Sequence, residues 1–290
     1  MSDQAANLRR KMEMSRSIKR AKTLAIVSGK GGVGKSNFAL NFSMTMAMKN
    51  KKVLIFDLDI GMGNIDILMG LTPKKTIINL FDQNLSIHDI IELGPNSLSY
   101  VAAGSGLNQI FSLNEDKFDY FLSQLDELMS LYDYIIFDMG AGVTEESVHY
   151  ILAVDECIVV TTPEPTSLTD AYSMIKHLTH KRFNLPMSLI VNKAPSQKIG
   201  LRTSQRLFQV VQQFIKKEVA TIGILPDDST VGKAVIRQTP FVLYAPKSSI
   251  SLAMNRIVDQ YVRDYSEQDV KETVPFTHKL KQFLKKGRLS

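Results

Sequence analysis

The sequence lacks any apolar run that approaches the roughly 18 to 20 residues needed to span a bilayer. Residues 1–22 are polar and offer no hydrophobic region of the secretory kind. Cysteine is almost missing, since Cys157 is the only one, which excludes an internal disulfide framework and a cysteine cluster for metal. These absences predict a cytoplasmic protein in which Cys157 serves as a core residue.

Basic residues are unevenly distributed along the chain, whose formal net charge is +6. Residues 1–22 contain seven Lys/Arg and two Asp/Glu, and residues 271–290 contain six and one. Each end therefore contributes +5, and the rest of the chain sums to −4. A mildly acidic globule with two basic ends predicts tails that meet acidic partners or an anionic membrane surface, and argues against a nucleic-acid partner.

Short apolar runs alternate with longer amphipathic stretches through most of the chain, which is the rhythm of parallel βαβ units. The candidate strands are 23–28, 52–57, 98–102, 134–138, 156–161, 187–192 and 221–225. The candidate helices are 35–49, 115–131, 144–153, 167–180, 197–217, 229–238 and 247–264. Most of the strand candidates are hydrophobic throughout, as expected for strands that helices cover on both faces.

This pattern predicts an α/β fold with a single doubly wound, mostly parallel sheet flanked by helices, formed by residues 23–270. Ligands of such a fold bind beyond the carboxyl ends of the strands. A basic N-terminal segment, 1–22, and a C-terminal segment, 271–290, flank the domain. No second core and no internal repeat is evident.

The clearest functional motif follows the first strand and opens the first helix. It reads Gly29, Lys30, Gly31, Gly32, Val33, Gly34, Lys35, Ser36, and it fits the P-loop pattern in its required context. Glycines allow backbone N–H groups to surround phosphate oxygens, and the helix N-terminus adds a positive dipole end. In such a loop Lys35 neutralises the β- and γ-phosphates and the Ser36 hydroxyl binds Mg²⁺. The predicted cofactors are therefore ATP and Mg²⁺.

Three aspartates lie at or just beyond the ends of two predicted strands. Asp57 and Asp59 lie two residues apart, so in an extended chain both side chains face the same way. One of them could hold a Mg²⁺-bound water while the other orients the attacking water. Asp138 follows four apolar residues, the Walker B pattern that holds the metal through water.

The stretch from Lys30 to Ser36 resembles the deviant Walker A box, KGGxGK[ST], of the MinD/ParA ATPases. In that family the first lysine crosses an ATP-dependent homodimer to reach the nucleotide of the other subunit, as an arginine finger does. The resemblance implies catalytic roles for Lys30, Lys35 and Asp59, and a metal role for Asp57. It also implies adenine contacts by the residues Asn192, Pro226 and Asp227.

The C-terminal segment predicts an amphipathic helix. Phe276, Leu280, Phe283 and Leu284 fall at i, i+4, i+7 and i+8, and lysines occupy the other face. One such helix gains about as much from lipid as its ordering costs, at roughly 1 to 2 kcal/mol per residue, whereas two in a dimer gain from effective concentration. We expect reversible membrane association; the alternative is a helix packed on its own domain.

The N-terminal segment from Asp3 to Arg9 resembles the DQAxxLR activator motif of the FlhG family of flagellar-number regulators, also called FleN or YlxH. With the DLDIGMGNID stretch at 57–66, the resemblance covers nearly the whole chain. It implies that Gln4, Leu8 and Arg9 stimulate an FlhF-type SRP GTPase, and that flagellar C-ring proteins are partners. A solvated basic arm is the alternative for this segment.

Three other functions occur among proteins of this fold, and the sequence bears on each of them. A ParA-like segregation ATPase that binds DNA non-specifically would need a cationic surface on the folded dimer, whereas the globule sums to −4. A MinD-type regulator of division-site selection stays open, although the N-terminal motif favours FlhG. An iron–sulfur carrier needs a pair of bridging cysteines, which Cys157 alone excludes.

Overall fold

The computed structural model describes residues 20–59, 63–82, 85–102, 115–142, 144–267 and 274–287. The strands are β1 Lys22–Val27, β2 Val53–Leu58, β3 Glu92–Leu93, β4 Ser99–Val101, β5 Tyr134–Met139, β6 Glu156–Thr161, β7 Met187–Ala194 and β8 Ala220–Pro226. The helices are α1 Lys35–Met48, α2 Ile65–Met69, α3 Ile77–Asp82, α4 Glu115–Leu131, α5 Glu145–Ala153, α6 Pro165–Lys181, α7 Gln197–Ile215, α8 Thr230–Ile236, α9 Phe241–Tyr244, α10 Ser249–Glu267 and α11 Phe276–Gly287. Two 3₁₀ turns cover Ile87–Ile90 and Pro95–Ser97.

The described strands form one sheet in the order β3-β4-β2-β5-β1-β6-β7-β8. Every neighbouring pair is parallel except β3 with β4. The chain proceeds from β1 toward one edge and then, after β5, toward the other, which confirms the predicted doubly wound sheet. The order reverses around β1, where a ligand crevice is expected.

Several short elements were not predicted. Strand β3 has 2 residues, and helices α2, α3 and α9 have 5, 6 and 4. Elements of this length are too short to show a helical or strand period, so hydrophobic patterning cannot reveal them.

The core consists of two apolar layers, one on each face of the sheet. Successive residues of a strand point to opposite faces. In β1, Ala25 and Val27 pack in the layer that contains α4, α5 and α6, while Leu24 and Ile26 pack in the layer with α1 and α10. The sheet is therefore covered on both sides, and β1 lies at its centre.

Helix α11 belongs to the first of these layers. Phe276 and Leu280 are buried, with exposures of 3% and 0%, and Phe283 and Leu284 are partly buried against the same layer. The helix packs against α5 and α4. In this structure the face expected to meet lipid thus meets the protein's own domain, because the surface of α4 and α5 offers it the same apolar contact.

Charged contacts also hold α11 in place. Lys279 Nζ lies 2.8 Å from Asp155 Oδ1, and Lys281 Nζ lies 2.6 Å from Asp119 Oδ1. Thr277 Oγ1 donates to Asp126 at 3.1 Å. Two of the lysines expected to face anionic lipid are therefore paired with carboxylates of the domain. Within the described ranges, no helix combines the length and apolar character that crossing a bilayer requires.

Candidate nucleotide-binding site

A cavity of about 640 Å³ opens beyond the carboxyl end of β1. Of the predicted site residues, those that line it are Gly31, Gly32, Gly34, Lys35, Ser36, Asp59, Asn192, Pro226 and Asp227. Val33 is buried at 2% exposure, and Gly29 lies against α6 at the backbone of Asp170. The sheet therefore brings segments that are far apart in sequence to one pocket.

The loop between β1 and α1 is held by side chains from the end of β7. Asn192 Nδ2 donates to the Val33 carbonyl and Lys193 Nζ donates to the Gly32 carbonyl, each at 2.8 Å. Gly34 has a φ of 89°, and a Cβ atom there would collide with the Asn192 amide. Only glycine can fill this position without strain. Asn192, for which a contact with adenine was expected, thus holds the shape of the loop in this structure.

Lys35 and Asp138 form a buried ion pair on the floor of the site. Lys35 Nζ lies 2.5 Å from Asp138 Oδ1 and 3.3 Å from Ser36 Oγ. The side-chain exposures of Lys35 and Asp138 are 6% and 0%. Burial raises the pKa of Asp138, and the Lys35 charge opposes this shift.

The same carboxylate has an unused acceptor. Asp138 Oδ2 is buried and has no hydrogen-bond partner among the described residues. A buried acceptor without a hydrogen-bond partner is costly, so this oxygen is suited to bind a cation or a cation-bound water. Together with the Ser36 hydroxyl and the neighbouring Asp57, it supplies the hard oxygen donors that Mg²⁺ prefers. The residues present therefore fit the expected metal.

Asp57 lies beside Asp138 in register on the neighbouring strand β2. Its carboxylate accepts three backbone hydrogen bonds, from Asp59 at 3.0 Å, Asn64 at 2.8 Å and Ile65 at 3.1 Å. Burial, and next the charge of Asp138, raise the pKa of Asp57 to about 6, although the three N–H groups lower it. Asp57 thus organises the start of α2 in addition to its expected role near the metal.

Asp59 lies at the cavity wall. Its carboxylate approaches Gly140, where an added Cβ would come within 3.3 Å of Asp59 Oδ1. Partial burial raises the pKa of Asp59, opposed by Lys35 and reinforced by Asp138. The side chain therefore stands where it could orient a water near a bound phosphate.

Lys30 does not line the cavity formed by its own loop. Its ammonium donates to Glu164 Oε2 at 2.9 Å and to Thr166 Oγ1 at 3.0 Å, both at the start of α6. The contact with Lys30 lowers the pKa of Glu164. With side-chain exposures of 36% and 64%, this ion pair contributes little stability, so Lys30 can leave it at small cost.

Part of the site was not predicted from sequence. Asn64 and Leu68, around the start of α2, and Val231 and Gly232 of α8 also line the cavity. Asn64 lies in the 57–66 stretch that resembles the FlhG family, and that was the one available signal for it. The residues of the expected activator motif, Gln4, Leu8 and Arg9, lie outside the described residues.

Comparison with known proteins places these features in context. Residues 19–262 match the family model described as ParA, NUBPL iron-transfer P-loop NTPase. The chain is 30% identical to the antiactivator FleN of Pseudomonas aeruginosa, over 86% of this chain and 89% of that protein. It is 33% identical to the flagellum site-determining protein YlxH of Helicobacter pylori, over 81% and 80%. The structure of MinD with Mg-ADP from Pyrococcus horikoshii superposes with a TM-score of 0.68 at 20% identity, covering 87% of this chain and 100% of that one.

Proposed function

This chain belongs to the MinD/ParA family of P-loop ATPases, given the family match over residues 19–262 and its FleN and YlxH relatives, and we propose that it is a regulatory switch driven by ATP. Its reaction is hydrolysis of a nucleoside triphosphate. In the proposed cycle, ATP and Mg²⁺ bind, two subunits close face to face, and hydrolysis restores the monomer.

The position of Lys30 is the observation that carries this proposal. A cation inside a phosphate-binding loop that contacts Glu164 instead of its own cavity is available to a second subunit. Hydrolysis would then require the dimer, because only a partner's Lys30 would bring this charge to the developing negative charge on the phosphates.

Within one subunit, the remaining groups divide the chemistry. Lys35 binds the β- and γ-phosphates after it leaves Asp138, and Asp59 orients the attacking water. Ser36, Asp57 and Asp138 would hold Mg²⁺, which would supply positive charge to the phosphates. Asn192, Pro226 and Asp227, which line the same cavity, would contact the base.

Iron transfer, which the family description mentions, finds no support in this chain. Cys157 is its only cysteine and lies fully buried in β6, where burial raises the pKa of the thiol. A buried, protonated thiol is a poor metal ligand, and a second cysteine to share an ion is lacking.

Gel filtration with light scattering tests the switch. We expect wild type to be dimeric with ATP and Mg²⁺ and monomeric with ADP. Lys30→Ala should bind nucleotide but hydrolyse it at least 100-fold more slowly, since a trans-acting cation at the phosphates contributes about 10³- to 10⁵-fold to the rate. Lys181→Ala, at an exposed lysine remote from the cavity, is the matched control. A wild type whose mass is the same with ATP and with ADP would refute nucleotide-gated association.

Membrane association is the second part of the proposal, and it requires α11 to leave the domain. Burial of Phe276 and Leu280 contributes about 1.5 to 3 kcal/mol each, in either the domain or a bilayer interface. The free energy gained by burying the apolar face is therefore similar in the domain and in a bilayer interface. Anionic headgroups can replace Asp119 and Asp155 as partners of the lysines. Closure of two subunits would favour the bilayer, because two helices then bind together.

Sedimentation with phosphatidylglycerol-containing vesicles tests this step. Wild type should co-sediment with ATP, and Phe283→Asp should remain in the supernatant although it still dimerises. Thr277→Ala serves as the control, since it removes a contact to the domain and leaves the apolar face intact. Co-sedimentation of Phe283→Asp at the wild-type level would remove the membrane step.

The biological output we propose is control of flagellar number and placement, which the resemblance of residues 3–9 to the FlhG family implies and which agrees with the flagellum site-determining function named for the YlxH relative. Residues 1–22 would stimulate an FlhF-type GTPase through Gln4, Leu8 and Arg9, and flagellar C-ring proteins would be further partners. A peptide of residues 1–22 should raise the GTPase rate, whereas the same peptide with Gln4→Ala should not. Equal rates with and without the wild-type peptide would point instead to a MinD-type division role.

A further inference from the structure

A second concave surface lies between α6 and α7 and shares no residue with the nucleotide cavity. Its volume is about 240 Å³, and it is lined by Pro165, Leu168, Thr169, Tyr172, Arg206, Leu207 and Val210. The floor is apolar and the wall carries one guanidinium. The described chain leaves this groove open to solvent.

A row of cations on α7 leads up to the groove, and its last member, Arg206, lines the groove wall. Lys198, Arg202 and Arg206 are spaced at i, i+4 and i+8, so they lie on one face of α7, and all three are exposed. None of them has an ion-pair partner within the described ranges. The 19-residue helix contains no acidic residue that could compensate.

This row is unfavourable for the isolated fold. Like charges at i and i+4 destabilise a helix, and Lys198 lies in the first turn, where the helix dipole disfavours a cation. The excess extends beyond α7, since residues 165–217 contain nine Lys/Arg and a single acidic residue, Asp170. A row that costs stability without an internal partner indicates an external anionic one.

We propose that this groove docks an acidic amphipathic helix of a protein partner. Apolar side chains of that helix would fill the floor at Leu168, Tyr172 and Val210, as helices bind in apolar grooves. Its carboxylates would pair with Arg202 and Arg206, whose planar guanidinium groups match a carboxylate in two-pronged fashion. The row spans about 12 Å at 1.5 Å per residue, which corresponds to two turns of the partner helix.

The shape of the surface favours an acidic protein segment over DNA or an anionic bilayer as its partner. Duplex DNA has no apolar side chain to fill a concave apolar floor, and its phosphates would contact only the rim. A bilayer interface accepts protruding apolar residues, whereas Leu168, Tyr172 and Val210 are recessed and partly covered. An acidic amphipathic helix satisfies both the floor and the rim. The surface does not depend on the switch mechanism proposed above.

Fluorescence anisotropy with the full-length protein tests the proposal. The probes are 16-residue fluorescein-labelled helical peptides that share one leucine stripe and carry glutamate, glutamine or lysine beside it. We expect the glutamate peptide to bind at least tenfold more tightly than the glutamine peptide, and the lysine peptide to show no binding. Arg206→Glu should weaken the glutamate peptide at least tenfold, whereas Lys52→Glu, an equal charge change at an exposed lysine outside the groove, should change it less than twofold.

Tyr172→Ala separates docking from simple ion exchange. It should also weaken the glutamate peptide at least fivefold, because it removes part of the floor. Equal binding of the glutamate and glutamine peptides, equal effects of Arg206→Glu and Lys52→Glu, or no effect of Tyr172→Ala would each overturn the proposal. So would duplex DNA or phosphatidylglycerol vesicles that bind more tightly than the glutamate peptide and lose this binding in Arg206→Glu.

Discussion

Replacement of Lys35 by methionine should destabilise the nucleotide-free protein as well as abolish nucleotide binding. In the structure, Lys35 is the cation bonded to Asp138, and the exposures of the two side chains are 6% and 0%. Methionine has nearly the length of lysine and keeps the apolar contacts of its stem. The substitution therefore removes the charge while it changes the packing little.

The expected loss follows from this burial. Removal of one member of a buried ion pair leaves an uncompensated charge and costs about 3 to 5 kcal/mol. For a chain of 290 residues, with unfolding entropy near 2.1 cal/mol/K per residue, this corresponds to roughly 5 to 8 °C in Tm. The double variant Lys35→Met/Asp138→Asn removes both charges and should return to within about 1.5 kcal/mol of wild type.

The loss should also depend on pH. Burial raises the pKa of Asp138 above its unfolded value. A carboxyl group with a raised folded pKa stabilises the fold most below its unfolded pKa, and this contribution is lost as pH rises toward the folded pKa. Without Lys35 the pKa of Asp138 rises further, so the deficit of Lys35→Met should be large at pH 8 and smaller near pH 5.

Urea unfolding without nucleotide, at pH 8 and pH 5.5, measures these effects in wild type, both single variants and the double variant. Lys193→Met, which removes a lysine bonded only to the Gly32 carbonyl, controls for the loss of a site cation. A Lys35→Met variant as stable as wild type at pH 8, or a double variant less stable than Lys35→Met, would contradict a stabilising role for the buried ion pair.

Other positions give further tests. Gly34→Ala should weaken binding of a fluorescent ATP analogue at least tenfold with an unchanged circular dichroism spectrum, since the φ of 89° and the neighbouring amide exclude a Cβ atom; full affinity would contradict the geometry. Glu164→Gln should release Lys30 from its ion pair. In gel filtration with ATP, this variant should therefore form dimers at protein concentrations no higher than wild type requires. Weaker dimerisation than wild type would mean that Glu164 itself contributes to the dimer. The pKa of Asp57 is raised to about 6, so its contribution to the stability of the nucleotide-free protein should be full below about pH 4 and lost as pH rises through 6. In denaturant titrations, the free energy of unfolding should therefore fall less over this pH range for Asp57→Asn than for wild type. Parallel curves for the two proteins would exclude the raised pKa. Leu280→Ala should cost about 2 to 5 kcal/mol in chemical unfolding, because Leu280 is 0% exposed; a loss below about 0.5 kcal/mol would show that α11 is undocked in solution.

Local signals were sufficient for the fold and for the centre of the site. The phosphate-binding loop is continuous in sequence, and its glycines are required by the backbone at positions such as Gly34. Asp57 and Asp138 could be identified because each follows an apolar strand, and the parallel register of β2 and β5 brings them together. Buried strands of five or more residues carry their own pattern, which is why the doubly wound sheet was predictable.

Contacts between distant segments were beyond local patterning. Lys30 was expected in the site, but its partner Glu164 lies 134 residues away, immediately before α6. Likewise, no local pattern shows that Lys193 donates to the Gly32 carbonyl, because that bond joins the end of β7 to a loop 161 residues earlier in the chain. The α6–α7 groove and its row of cations appear only after the two helices pack side by side.

The C-terminal helix shows most clearly what the sequence determines and what the tertiary structure determines. Its sequence alone determined that residues 276–287 form an amphipathic helix with four apolar residues on one face, because helical periodicity is a local property. Which surface that face covers depends on what else the molecule offers. In the tertiary structure this face covers the protein's own domain. There α4 and α5 supply an apolar surface, and Asp119 and Asp155 pair with the lysines. The hydrophobic effect has no direction, so a sequence can specify that a face must be buried but not where.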